Sequence, residues 1–226
     1  MKHLIYISSI LFAFFLAQDE TKHVLFTDDA SIFNRFSFFK NSEVTIGQQT
    51  WKTHNLNVSK FSNGDEIDHA KTDAAWKKAI QERRPAWRYM NNDSTLGNTY
   101  GKLYNWFAVT DSRGLAEEGW KIPDKQDWQE LINYLGDDAG HQLKCDCNEI
   151  KEGKGNNASG FSAVLGGHCF FNGMFTNKYY TGSWWSTSTE EDGQVWAMQL
   201  NANYKEAELL KMYQTFGLSV RLLKEY

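Results

Sequence analysis

The chain has 226 residues, a formal net charge of −4, and nine tryptophans against only two prolines. An acidic balance speaks against nucleic acid, whose phosphates call for a basic face. The length suits one domain of above-average size, able to bury a core without covalent staples.

The chain opens on Lys2 and His3, runs uncharged from Leu4 to Ala17, and turns polar at Gln18, Asp19 and Glu20. A charged start, a short apolar stretch and a small residue at its end predict a secretory signal peptide over residues 1–17. The stretch falls short of the roughly 20 residues that a membrane-crossing helix needs. No cysteine follows it for lipid attachment, and no second stretch is apolar enough to span a bilayer. The expectation is an exported protein, in the envelope or outside the cell, with no membrane insertion once the signal is removed.

Residues 18–43 hold Phe33, Phe36, Phe38 and Phe39 without a sustained period, and read as a leader that lays one strand on the main domain. The domain begins at Val44, where "VTIGQQTWKTHNL" predicts a hairpin around Gly-Gln-Gln. "TDAAWKKAIQERRP" predicts an amphipathic helix capped by Thr72 or Asp73, with Trp76 and Ile80 on one face and Pro85 as the stop. "PDKQDWQELINYLG" predicts a second. Here Asp124 caps, Asp127 sits in the first turn, Trp128, Leu131, Ile132 and Leu135 form the buried stripe, and Gly136 ends the helix. The glycine- and asparagine-rich stretch after Leu143 reads as loops and tight turns. Beyond it, "QVWAMQL", "AELLKMY" and "FGLSVRLL" predict an antiparallel meander with one wet face.

Cys145, Cys147 and Cys169 allow at most one internal disulfide. A bridge from Cys145 or Cys147 to Cys169, or none, is the expected state. A metal site would have to add His141 and His168, and the C-x-C spacing lacks the two-residue gap of zinc knuckles.

In order along the chain stand "NGDEI" (63–67), "PAWRYMNND" (85–93), "YGKLYNWFAV" (100–109), "DSRGLAEEGWKIPD" (111–124), "DWQELINYLG" (127–136), "SGFSAVLGG" (159–167), "WWSTS" (184–188) and "GLSVRLL" (217–223). Together they resemble the Fibrobacter succinogenes major paralogous domain, a bacterial module of exported proteins, over roughly residues 45–224. The resemblance implies an α+β fold similar to C-type-lectin-like domains and to the core of formylglycine-generating enzymes: two helices, a small antiparallel sheet and long structured loops. It makes residues 44–226 one such domain, with Trp106, Trp120 and Trp128 as core pins. Members often carry a cysteine after the tryptophan of "PAW" and another after the arginine of "SVR", where this chain has Arg88 and Leu222. A bridge between such cysteines, worth roughly 2–4 kcal/mol, is absent here.

No nucleophile–base pair or paired carboxylate emerges from the sequence, so the expectation is a protein without catalysis. Fold likeness to an enzyme does not transmit its reaction. His141 and His168 read as surface or turn histidines; were there catalysis, Cys169 or His168 would be the place to look. Recognition is better motivated, because sugar receptors set Trp or Tyr beside planar polar groups. Trp87, Tyr89, Asn91, Asn92 and Asp93 are expected as one wall of a glycan site, with Trp184, Ser186 and Glu190 opposite. Trp87 and Trp185 read more readily as core, and of Trp184 and Trp185 an extended strand should turn only one inward. Calcium is the cation that many C-type lectins use on sugar hydroxyls, but neither their Glu-Pro-Asn nor their Trp-Asn-Asp arrangement occurs. The alternative to a glycan is an adhesive or structural role with a protein partner.

Overall fold

A computed structural model describes residues 42–147 and 153–226. The expected signal peptide and all but the end of the leader, with its strand, lie outside the described residues. The fold is α+β, with few helices and three sheets, in which every strand pair but one is antiparallel.

The hairpin forms where the sequence places it. Strands β1 (Glu43–Ile46) and β2 (Gln49–Lys52) pair from Glu43↔Lys52 to Ile46↔Gln49. Both predicted helices form as well. Helix α1 (Asp73–Gln81) is capped by Thr72, whose Oγ1 accepts from Ala75 N at 3.1 Å, and it buries Trp76, Ala79 and Ile80. Helix α2 (Lys125–Leu135) carries a reciprocal capping box. Asp124 Oδ1 accepts from Asp127 N at 2.9 Å, and Asp127 Oδ2 accepts from Asp124 N at 2.8 Å. Trp128 and Leu131 are buried, and Ile132 and Leu135 are partly buried against the same cluster.

The strand-rich C-terminal half departs from the expected meander. Strands β9 (Thr181–Thr189), β10 (Gln194–Asn201) and β11 (Ala207–Tyr213) form a three-stranded antiparallel sheet in the order β11-β10-β9. The last run, "FGLSVRLL", is not its third member. It splits instead, β12 (Gly217–Leu218) pairing with β5 (Leu103–Asn105) and β7 (His168–Cys169), and β13 (Leu223–Lys224) pairing with β2 and β6 (Trp120–Lys121). β12 thus lies inside a six-stranded sheet, β3-β4-β5-β12-β7-β8, completed by β3 (Asp68–His69), β4 (Ala86–Arg88) and β8 (Phe175–Thr176). Between its two pairings the run touches β9 as well: Trp185 N donates to Ser219 O and Ser219 N donates to Ser183 O, both at 3.1 Å. One segment therefore joins three sheets, and it is buried on both sides, Ser219 and Arg221 as fully as Leu218 and Val220.

Nor does the three-stranded sheet have the expected wet face along its inner strands. Val195 and Ala197 enter one hydrophobic cluster, while Met198 and Leu200, on the opposite face of the strand, enter another. Trp185 belongs to the first cluster and Trp184 to the second, so both are wholly buried. The one-inward rule fails because the strand has core on both faces.

Seven of the nine tryptophans are buried, including Trp106 and Trp128. Trp120 is the exception among the expected pins: half-buried, with Lys52 Nζ 4.0 Å from its ring centre. Indole N–H groups tie the loops down. Trp76 donates to Phe170 O at 2.9 Å, Trp87 to Ile67 O at 3.0 Å, and Trp185 to Tyr104 O at 2.8 Å. In the deepest network, Asn55 Oδ1 accepts from Trp184 Nε1 (2.8 Å) and from Arg221 Nε (3.2 Å) and Nη2 (2.9 Å). Removing the amide leaves a guanidinium and an indole in the core without that acceptor, and hydrogen bonds to charged groups are worth about 1.5–3 kcal/mol each. Asn55→Ala is expected to lower unfolding free energy by about 3 kcal/mol or more in denaturant titration. Arg221→Met, which removes the charge along with its contacts, should cost less.

Candidate functional site

The two walls expected from the sequence do not face each other as a sugar cleft. Trp87 is buried with both ring faces occupied: His69 stacks at 3.8 Å and 12°, and Lys102 Nζ lies 3.9 Å from the ring centre. At those distances the two cannot share a face, so none remains for a sugar. Tyr89 stands edge-on at 5.1 Å and is half-buried. Asn91 and Asn92 are exposed and adopt left-handed backbone, with φ of 54° and 57°. The Asn92 Oδ1 accepts from Arg88 Nε and Nη2, and Asp93 Oδ1 accepts from Thr95 N and Oγ1, an arrangement that holds its carboxyl below the usual range. Asn92 and Asp93 thus serve their own turn. Opposite, Trp184 and Ser186 are wholly buried, and Ser186 Oγ accepts from Ser188 N. Trp87 and Trp184 also belong to different core clusters. These residues were expected at a binding surface because a Trp beside Asn or Ser is equally a core pin beside a turn.

Glu190 does lie at the surface, beside Trp196. The half-buried Trp196 donates its indole N–H to Glu190 Oε1, and Lys211 Nζ lies 3.2 Å from Glu190 Oε2. Together they hold the Glu190 carboxyl below its usual range. Lys125 Nζ sits 3.7 Å from the centre of the Trp196 ring.

The thiol and imidazole named as the place to look for catalysis are both buried, in β7. His168 is therefore neither a surface nor a turn residue. Burial pushes the Cys169 thiol up to about 12, against the opposing influence of Arg88, and pulls the His168 imidazole down. A neutral thiol is not the nucleophile that thiolate chemistry requires. The bridge that does form joins Cys145 to Cys147, correcting the expectation of a link to Cys169. Among the described residues no three of His, Cys, Asp and Glu come together as a metal site.

Among the large hydrophobic side chains exposed in the described residues, two stand close together on the turn joining β7 to β8, and the others are tyrosines. Phe171 is 52% exposed and Met174 60%. The turn is held from below. Arg88 is fully buried, donates from Nη1 to Gly173 O at 3.0 Å and to Cys169 Sγ at 3.5 Å, and pairs through Nη2 with Asp73 Oδ1 at 2.9 Å. Trp76 holds Phe170 O, and Phe170 N donates to Met174 O at 2.9 Å. Gly173 is required, with φ of +92° and space for a Cβ already taken by Asp73. Beside the turn, Phe170 packs at right angles against His168 and Phe216, each 5.1 Å away, and Tyr213, 60% exposed, extends the cluster from Phe216 at 5.9 Å. The available signal was "FFNGMF", large apolar residues around an Asn-Gly turn.

The architecture is that of an α+β domain in which ordered loops carry much of the core. The sequence model of the Fibrobacter succinogenes major domain matches residues 44–224, and the chain belongs to that family. No curated protein and no solved structure matches it.

Two buried groups give direct tests. Desolvation draws the Lys102 amine down to about 8 from an ordinary 10.5. Below about 8 folded and unfolded chains both hold the proton; above it the folded chain releases it first, so the unfolded state binds more protons and stability rises with pH up to 10.5. Unfolding free energies measured across that window should rise for the wild type relative to Lys102→Met. Cys169 should resist iodoacetamide in native buffer at mildly alkaline pH and react promptly in denaturant.

Proposed function

We propose that this domain works outside the cell as a recognition module without a catalytic centre, on a C-type-lectin-like scaffold, and that its ligand is a protein. The scaffold reading is supported by helices α1 and α2, the second lying against the three-stranded sheet, and by long loops tied to the core. Export is supported by the uncharged run Leu4–Ala17 behind Lys2. Among the described residues no helix is long and apolar enough to cross a membrane.

The observation that carries the ligand reading is the pair Phe171 and Met174, exposed on a turn that buried Arg88 and Trp76 hold rigid. An apolar side chain in water gains by burial in a partner, and a fixed backbone lowers the ordering cost of doing so. Phe, Tyr and Met are the residues that protein interfaces favour. A sugar site needs planar polar groups free beside the ring, and Asn172, between the two, spends its Oδ1 on Met174 N at 3.0 Å. The glycan reading is favoured at one other place, where the Trp196 ring lies beside the Glu190 carboxylate.

The test is binding of the full chain to arrays of purified secreted and envelope proteins, and to a glycan array with and without calcium. Phe171→Ser/Met174→Ser should reduce protein binding at least tenfold while leaving thermal unfolding unchanged. Glycan binding that survives this change and vanishes in Trp196→Ala would replace the reading, and silence on both arrays would remove recognition altogether.

A further inference from the structure

The Cys145–Cys147 bridge closes a loop with a single residue, Asp146, between its ends, at a Cα–Cα separation of 5.3 Å. A disulfide stabilises a fold chiefly by restricting the unfolded chain, and the restriction grows with loop length. Here it constrains little that the peptide bonds do not already constrain. The segment is also anchored without it: Cys145 N donates to Ala163 O at 2.9 Å, and the buried Lys144 Nζ donates to Asn201 O at 2.9 Å and Tyr204 O at 2.8 Å. As a staple the bridge is redundant, so its placement calls for a chemical reason.

Its two sulfurs sit in unlike surroundings. Cys145 is buried among the apolar residues of its cluster, whereas Cys147 is only partly buried at the cluster's margin, beside the exposed Asp146. Access decides which sulfur an incoming thiolate can attack, and the less buried Cys147 is the reachable one. The third cysteine takes no part, since Cys169 belongs to a different core cluster and its sulfur faces Arg88.

We propose that Cys145–Cys147 is a thiol–disulfide exchange site, with Cys147 the sulfur attacked and a cysteine thiolate as the reactant. The thiolate attacks Cys147 Sγ, the Cys145–Cys147 bond breaks, and a mixed disulfide forms on Cys147. The electron pair leaves on Cys145 Sγ, which takes a proton from water. If the reactant carries a second thiol, that thiol, as thiolate, attacks the reactant's own sulfur in the mixed disulfide and releases Cys147 as thiolate. The reactant dithiol is then oxidised to a disulfide by two electrons and the protein bridge reduced by two. The reverse sequence, with a disulfide as reactant, restores the bridge.

The experiment uses the full chain in glutathione redox buffers near neutral pH, with acid quenching, maleimide labelling and intact-mass analysis. Two thiols should appear together under native conditions, with unchanged far-UV circular dichroism, while Cys169 stays unlabelled until denaturant is added. Cys145→Ser should accumulate one glutathione on Cys147, and Cys147→Ser none. Reduction that occurs only on unfolding, or an adduct on Cys145 in place of Cys147, would overturn the proposal. Should either variant fail to fold, the native-state reduction of the wild type decides alone. A second arm replaces glutathione with a dithiol peptide: a rate at least tenfold higher per thiolate assigns the site to protein cysteines, and equal rates assign it to small thiols.

Discussion

The guanidinium of Arg221 is a full charge in the middle of the core, satisfied by neutral oxygens. Its Nη1 donates to Lys52 O at 3.0 Å and Phe161 O at 2.7 Å, its Nε and Nη2 share Asn55 Oδ1, and the Phe161 ring lies 4.3 Å from its central carbon. Desolvation pulls its pKa below the ordinary value, as it must where a cation has lost its water. Such a group is costly, and an apolar residue of similar volume would avoid the cost. What it provides is a junction. The segments around residues 52–55 and 161 meet residue 221 at one planar set of donors, the indole of Trp184 joins them through Asn55 Oδ1, and Asn55, Phe161 and Arg221 themselves lie outside any regular element. The rest of the architecture, in which the last run crosses from sheet to sheet, depends on that junction because the crossing is made at Arg221.

The tryptophans extend the same solution outward. Each indole supplies a large apolar surface and one N–H, and a loop buried in a core needs both: area to offset its ordering, and partners for its carbonyls. Trp76, Trp87 and Trp185 meet carbonyls of residues 170, 67 and 104, each far away in sequence. A hydrophobe without the N–H would fill the same volume and leave those carbonyls to find water. Bulky rings are therefore the reason that long stretches between short strands keep one conformation.

The parts of this fold legible in the sequence are those with local causes. The β1–β2 hairpin and both helices announce themselves through a turn, caps and a 3.6-residue period, all contained within about a dozen residues. The path of residues 217–224 is not local. Leu218, Val220 and Leu222 alternate as a half-buried strand should, yet Ser219 and Arg221 are buried too, because what covers them comes from β2, β9 and the loop at Asn55. Trp184 and Trp185 misled for the same reason: alternation carries information only when one face is wet. The candidate site was legible in the wrong place. Trp87 beside Asn91–Asp93 reads as a sugar platform until His69 and Lys102, distant in sequence, are seen to cover both faces of the ring. Phe171 and Met174 fall in the glycine- and asparagine-rich stretch, where the turn is legible but the exposure of the side chains on it is not.

Arg88 gives the arrangement its final consequence. It ties β4 to the β7–β8 turn and to α1 through Gly173 O, Cys169 Sγ and Asp73. A covalent bridge holds only where it stays oxidised, whereas a guanidinium with satisfied donors holds in any redox environment. Arg88 and Arg221 both cross-link loops in this redox-independent way. The rigidity of the outward-facing turn and the integrity of the core therefore do not rest on sulfur chemistry. Cys145 and Cys147 stand outside that framework, closing a loop too short to matter to the fold. A chain whose loops are fixed by guanidinium and indole donors can let that one disulfide open and close while the β7–β8 turn stays in place.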